Sequence, residues 1–236
     1  MSKILELASA LTSNPLRSLV RMQRAQRSHE NLLKNHGRML DQSLLEDTKL
    51  VCDRIEMLRR FPKGGVVAEV GVAAGDLSAK ILEICKPDTL HLIDPWSDEA
   101  TPDCSPQAHG RVGCYRNVLV RFEKEIASGQ VKVHRSLSTE VLPSFADNYL
   151  DWIYLDAAHD YQSVADELKI AVRIVKESGL ISGHDYIRWA GPTARYGVME
   201  AVNEFAEKTD SPFVFLTNQF DKHESFALKL RKPGKN

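Results

Sequence analysis

The sequence predicts an α/β fold: a doubly wound, mostly parallel sheet of about seven strands, preceded by a helical extension. Three observations carry that prediction. From residue 66 onward, short apolar runs alternate with stretches whose apolar residues recur at helical spacing, which is the pattern of a parallel sheet with helices on both faces. The runs Val66 to Val70 and Thr89 to Ile93 each carry a carboxylate at the strand end, Glu69 and Asp94, followed by small or turn-forming residues. The last two runs, Phe213 to Leu216 and Phe226 to Leu230, lie so close together that a short turn through Asp221, Lys222 and His223 joins them, making them antiparallel.

Composition sets the outer bounds. The 236 residues suffice for one substantial core with an appendage, and 43% apolar with 27% charged residues is ordinary for a globular chain. A formal net charge of -1 gives no global field that favours nucleic acid or an anionic membrane, so neither is expected as a partner. Cys52, Cys85, Cys104 and Cys114 form no C-x-x-C pair, which favours free thiols. The segment from Cys104 through His109 to Cys114 reads as a flexible loop rather than a metal loop. No apolar run approaches the roughly 20 residues that span a bilayer, and the first twenty residues lack a compact signal core, so a cytoplasmic protein is expected.

In chain order, residues 1–60 contain no convincing strand. Leu16, Leu19, Val20 and Met22 alternate with Arg17, Arg21, Arg24 and Arg27, a basic amphipathic helix that either covers the acceptor side of a site or forms a homodimer contact. Leu44, Leu45, Leu50, Val51, Ile55 and Leu58 suggest a second helix from Leu40 to Leu58. The breaker cluster Phe61-Pro62-Lys63-Gly64-Gly65 then opens the main domain, residues 61–236. Strands follow at Val66 to Val70, Thr89 to Ile93, Val131 to His134, Trp152 to Leu155 and Leu180 to Ser182. Helices lie between them at Leu77 to Cys85, Tyr115 to Ala127 and Ser163 to Lys176, with a further helix from Val198 to Glu207 before the closing hairpin.

Ligands of such sheets sit outside the carboxyl ends of the strands. Gly71, Ala73 and Gly75 lack bulk where the backbone must turn and approach a ligand closely, and the next helix offers its amides there. The spacing is E-x-G-x-A-x-G rather than the dinucleotide G-x-G-x-x-G, and Glu69 would repel pyrophosphate while attracting a sulfonium. That argues for S-adenosylmethionine over NAD. Asp94, followed by Pro95 and Trp96, stands about 20 residues on, where an acid accepts hydrogen bonds from ribose hydroxyls. The stretch His134-R-S-L-S138, with Ser136, could line an adenine pocket.

Two further segments, Asp151-W-I-Y-L-D-A-A-H-D-Y161 and Gly179-L-I-S-G-H-D-Y186, complete a pattern. Over residues 61 to 230 the chain resembles the class I S-adenosylmethionine-dependent methyltransferases with their Rossmann-like fold. More narrowly it resembles methyltransferase family 24, kin to macrocin-type sugar O-methyltransferases. The family's D-G-x-H-x-Y segment falls on Asp156, His159 and Tyr161, and its H-D-Y segment on His184, Asp185 and Tyr186. Ala157 and Ala73 replace glycines. The resemblance implies methyl transfer to a hydroxyl of a small molecule: a sugar, a glycosylated metabolite or a phenolic compound. His159 then stands as general base beside Asp156, and Asp156, Asp185 and His184 as ligands for a divalent ion, magnesium, manganese or zinc. Trp96, Trp189 and Tyr196 are candidates for an aromatic acceptor wall, and Gly191-Pro192-Thr193 for a mobile loop. The rival readings are a nicotinamide-dependent oxidoreductase and a non-catalytic S-adenosylmethionine-binding module. Methylation of nucleic acid or protein lacks an N-P-P-Y type motif and an extended basic stripe.

Overall fold

The computed structural model describes residues 15–37, 39–96, 114–189, 195–219 and 223–232. The strands are β1 (Lys49–Val51), β2 (Val66–Val70), β3 (Thr89–Ile93), β4 (Val131–His134), β5 (Leu150–Leu155), β6 (Val175–Gly183), β7 (Phe213–Thr217) and β8 (Phe226–Lys229). The helices are α1 (Pro15–His36), α2 (Arg54–Arg59), α3 (Asp76–Cys85), α4 (Cys114–Arg121), α5 (Glu123–Ala127), α6 (Ser138–Val141), α7 (Tyr161–Ile174) and α8 (Val198–Thr209). The strands form one sheet in the order β1-β7-β8-β6-β5-β2-β3-β4. Only β8 runs against its neighbours, pairing antiparallel with both β6 and β7. The chain leaves β2 toward β3 and β4, then returns to place β5 on the other side of β2. The switch point therefore lies where β2 and β5 end, and the crevice of such a sheet opens there.

Side chains alternate across β2, so the sheet carries a core on each face. Ala68 and Val70 join Val164 and Leu168 of α7 and Val202 and Phe205 of α8. Val67 joins Met57 of α2, Ile81 of α3 and Val118 of α4 on the opposite side. Helices thus cover both faces, as the alternating pattern predicts.

The first 60 residues depart from the expectation of no strand. β1 lies among them and pairs parallel with β7, Leu50 opposite Leu216, as an edge strand. The expected helix from Leu40 to Leu58 is cut by two aspartates. Asp41 accepts a hydrogen bond from the Ser43 amide (2.9 Å) and starts a 3-10 turn at Gln42–Leu44. Asp53 accepts from the Glu56 amide (2.7 Å) and starts α2. Side-chain oxygens that satisfy the first amides of a helix fix where it begins, and here they outweigh an apolar spacing compatible with one long helix.

Three other boundaries shift. The expected helix from Tyr115 to Ala127 breaks at Phe122, whose ring is buried against Gly75. The helix expected to reach Lys176 ends at Ile174, and β6 begins at Val175, earlier than Leu180. Residues 104–113 of the Cys104 to Cys114 loop, the Gly191-Pro192-Thr193 loop and residues 220–222 of the β7–β8 turn lie outside the described residues. Among the described residues, no helix is long and apolar enough to cross a membrane.

Candidate active site

At the end of β2 the chain turns through Gly71 (φ 86°) and Gly75 (φ 79°), in the left-handed region that favours glycine. A side chain at Gly71 would place its Cβ 2.0 Å from the Asp156 carbonyl oxygen, so this glycine lets the tips of β2 and β5 touch. Ala73, with φ 48°, holds a conformation that costs a non-glycine residue about 1–3 kcal/mol. Asp94 supports it. One oxygen of its buried carboxylate accepts from the amides of Val72 (2.9 Å) and Ala73 (3.0 Å), and the other from the Trp96 amide (2.8 Å). The Trp96 indole closes the loop by donating to the Ala73 carbonyl (3.0 Å).

These tips border a crevice of about 290 Å³. Gly71 and Ala73 line it from the first loop, and Asp94 and Pro95 from the end of β3. Leu137, Ser138 and Thr139 contribute from the end of β4, Asp156, Ala157 and Ala158 from the end of β5, and Ser163 and Glu167 from α7. The expected cofactor residues Gly71, Ala73, Asp94, Pro95 and Asp156 thus come together.

Other expected cofactor residues stand behind that wall. Glu69 points to the opposite face of β2 from Val70, is 1% exposed and accepts a hydrogen bond from the Ser78 hydroxyl. Burial pushes its carboxyl up to about 8, against the Ser78 bond, with Asp156 adding to the rise. The group is therefore largely neutral at pH 7 and does not present to the crevice the negative charge expected of it. Gly75 caps α3 under the Phe122 ring. Trp96 is buried with its ring against Tyr115 (5.2 Å between centroids). Ser136 donates to Glu140, and its neighbours Leu137 and Ser138 take the lining positions.

The second part of the site is a cluster of ionisable side chains. Nε2 of His159 lies 2.7 Å from Oδ2 of Asp185, and Nδ1 of His223 pairs with Oδ1. Burial opposes the charge on Asp185, yet these two hydrogen bonds outweigh it and hold the carboxyl below its ordinary value. Asp185 has φ 58°, so the loop after β6 is held in a strained conformation that aims the carboxylate at His159. Asp156 faces the same space, with Arg54 of α2 at 3.6 Å. Burial, then the Asp185 charge, push Asp156 up to about 7, while Arg54 and His159 pull the other way. In the neutral His159 ring, the Nε2 proton donates to Asp185 and the basic lone pair falls on Nδ1.

Asp156, His159 and Asp185 each offer one donor atom, and these three atoms lie within 4.8 Å of one another. Two carboxylates and an imidazole fit a divalent ion of intermediate softness. The expected ligand His184 is not in this trio. Its Nδ1 pairs with the Ser225 hydroxyl (2.9 Å), and burial pushes its pKa down to about 4.

Tyr161 and Tyr186 fasten loops to α8, their hydroxyls donating to Glu204 (2.8 Å) and Asn203 (2.6 Å). Of the expected aromatic wall, only Tyr196 meets the cluster, its ring stacked on His159 (4.4 Å between centroids, 5° between planes). Trp189 packs instead on His29 of α1. Sequence reasoning missed Arg54 and Glu167. Glu167 carried a signal, since it sits in register with Val164, Leu168 and Ala171 on the buried stripe of α7, where a carboxylate is out of place.

A switch-point crevice, a small-residue loop braced by an acid from the next strand, and β8 reversed beside β6 define a class I S-adenosylmethionine-dependent methyltransferase. The family described as a methyltransferase domain, methyltransferase family 24, matches residues 68–186, just over half of the 236-residue chain. The chain belongs to that family. No curated protein matches its sequence. Among solved structures it is similar to a candidate rRNA methylase from Clostridium thermocellum (12% identity, TM-score 0.55, covering 77% of this chain and 95% of that one). It is also similar to an S-adenosylmethionine-dependent methyltransferase from Aquifex aeolicus (13%, 0.51, covering 75% and 88%). A third is the B. subtilis tRNA methyltransferase TrmK (13%, 0.51, covering 77% and 67%). At these identities the likeness is one of fold.

Proposed function

We propose that the protein transfers a methyl group from S-adenosylmethionine to a hydroxyl oxygen of a small hydrophilic molecule, a sugar or glycosylated metabolite before a phenolic compound. The observation that carries this reading is the His159–Asp185 pair beside Asp156, at the end of the crevice. A hydroxyl must lose a proton as its oxygen attacks, and an imidazole oriented by a carboxylate is suited to take it.

S-adenosylmethionine, when bound, supplies an electrophilic methyl on a positively charged sulfur. Gly71 and Ala73 leave space for it, and Asp94 retains acceptor capacity for ribose hydroxyls beside its three amide bonds. Nδ1 of His159 takes the acceptor proton as the new O–C bond forms and the S–C bond breaks. Asp185 stabilises the resulting imidazolium. A divalent ion held by Asp156, His159 and Asp185 would instead lower the hydroxyl pKa, and that donor set suits manganese or zinc better than magnesium.

Space for an acceptor is offered by a cleft of about 370 Å³ between α1 and the body, where Asn31, Asn35, Gln162 and Tyr196 supply hydrogen-bonding groups beside Leu32. Tyr196 belongs both to this cleft and to the stack on His159. A second reading, RNA methylation, draws on exposed Arg21, Arg24 and Arg27 of α1 and on the TrmK-like fold. Labelled methyl transfer, tested on panels of sugars, phenols, amines and RNA, separates the two. Label appearing only in RNA or amines would overturn the hydroxyl reading.

A further inference from the structure

Glu167 is a buried carboxylate that the reaction above does not use. It is 3% exposed, one residue after the solvent-exposed Asp166, and it lines the crevice from the second turn of α7. Oε1 accepts a hydrogen bond from the hydroxyl of Ser138 at 2.5 Å, at the start of α6. Among the described residues, no hydrogen bond reaches Oε2. Burial raises the pKa of this carboxyl above its ordinary value despite the Ser138 bond, a cost that a donor from a ligand would offset.

The sheet order fixes what such a donor belongs to. Across the strand ends the crevice runs from β5 through β2 and β3 to β4, with neighbouring strands about 4.8 Å apart. Asp156 stands at the first of these, Asp94 at the third, and Ser138 just after the fourth. An S-adenosyl ligand with its sulfonium toward Asp156 and its ribose at Asp94 extends its base toward Ser138 and Glu167.

We propose that Glu167 recognises the adenine ring, Oε2 accepting a hydrogen bond from the exocyclic 6-amino group while Ser138 holds Oε1 in place. This rests on the S-adenosylmethionine reading and adds a specificity residue to it. A purely structural Glu167 would hold α6 through Ser138 and be indifferent to the base.

The test is calorimetric titration with S-adenosylhomocysteine and with its analogue lacking the 6-amino group. The wild type is expected to bind the adenine compound about tenfold or more tightly, as for a hydrogen bond to a charged acceptor. Glu167→Leu should bring the two affinities to within about twofold, whereas Glu167→Gln, which keeps a carbonyl acceptor, should retain part of the preference. Equal wild-type affinities would overturn the proposal, with no variant needed. A Glu167→Leu protein that weakens both ligands by one factor, keeping the ratio, would assign the residue to structure alone. Failure of the wild type to bind either compound would remove the donor reading itself, and this proposal with it.

Discussion

The two ends of the crevice are built differently. The end proposed for the cofactor is held by the main chain: Gly71 packs against the Asp156 carbonyl, and Asp94 receives three amides. The end proposed for the reaction is held by side chains that bond one another, His159 and His223 to Asp185, and Arg54 beside Asp156. Backbone bonds give a rigid seat whose failure shows in folding and affinity. A cluster of interacting acids and imidazoles gives tunable protonation, whose failure shows in turnover and pH dependence.

Breaking the reacting end should produce the largest effect. His159→Ala is expected to lower turnover about 10²–10⁴-fold, the usual worth of a positioned base, with affinity for S-adenosylhomocysteine within about twofold of wild type. Steady-state kinetics on a confirmed acceptor alongside calorimetry checks both halves, and turnover unchanged would remove His159 as base. At the cofactor end, Gly71→Ala should destabilise the fold by about 3 kcal/mol or more, because its Cβ meets a carbonyl oxygen and φ is positive. Chemical denaturation would show this, and a loss under about 1 kcal/mol would mean that the two strand tips separate freely.

Titration sharpens the contrast. His91, buried beside His134, Lys132 and Tyr149, is pushed down to about 4 by burial and then by its charged neighbours. A depressed histidine contributes stability that is present above pH 6.5 and lost as pH falls toward 4, about 3 kcal/mol in the limit. Glu69 has the opposite sign, its raised carboxyl costing stability as pH rises from 4.5 through about 8. Thermal melts should therefore show His91→Gln flattening the acid limb and Glu69→Gln the alkaline one. Unaltered limbs would place both groups in solvent. A smaller effect is expected from chelation followed by metal return. Turnover that falls and recovers best with manganese or zinc would assign Asp156, His159 and Asp185 to an ion, while turnover indifferent to chelator would leave His159 as a base acting alone.

The same contrast explains what the sequence made legible. β2, its glycine loop and Asp94 are read from neighbours in the chain, because strand period, small residues and a fixed offset are local signals. The segments ending in Tyr161 and Tyr186 exposed Asp156, His159 and Asp185 through their likeness to the D-G-x-H-x-Y and H-D-Y segments of the family. Arg54 and His223 join the cluster from remote positions, and their roles depend on tertiary placement that no local pattern encodes. β1 was hidden because Leu44, Leu45, Leu50 and Val51 suit a helix as well as a strand, although Asp41 and Asp53 marked the breaks. Glu69 was misjudged by charge alone: the strand period places it on the face away from Val70, and burial then neutralises it.

The division between a binding end and a reacting end is tested most directly by titrating S-adenosylhomocysteine into the wild type, Asp94→Ala and His159→Ala. The account predicts a single site in the wild type, affinity about tenfold or more weaker in Asp94→Ala, and affinity within about twofold of wild type in His159→Ala. Equal weakening in both variants, or no binding by the wild type, would contradict it.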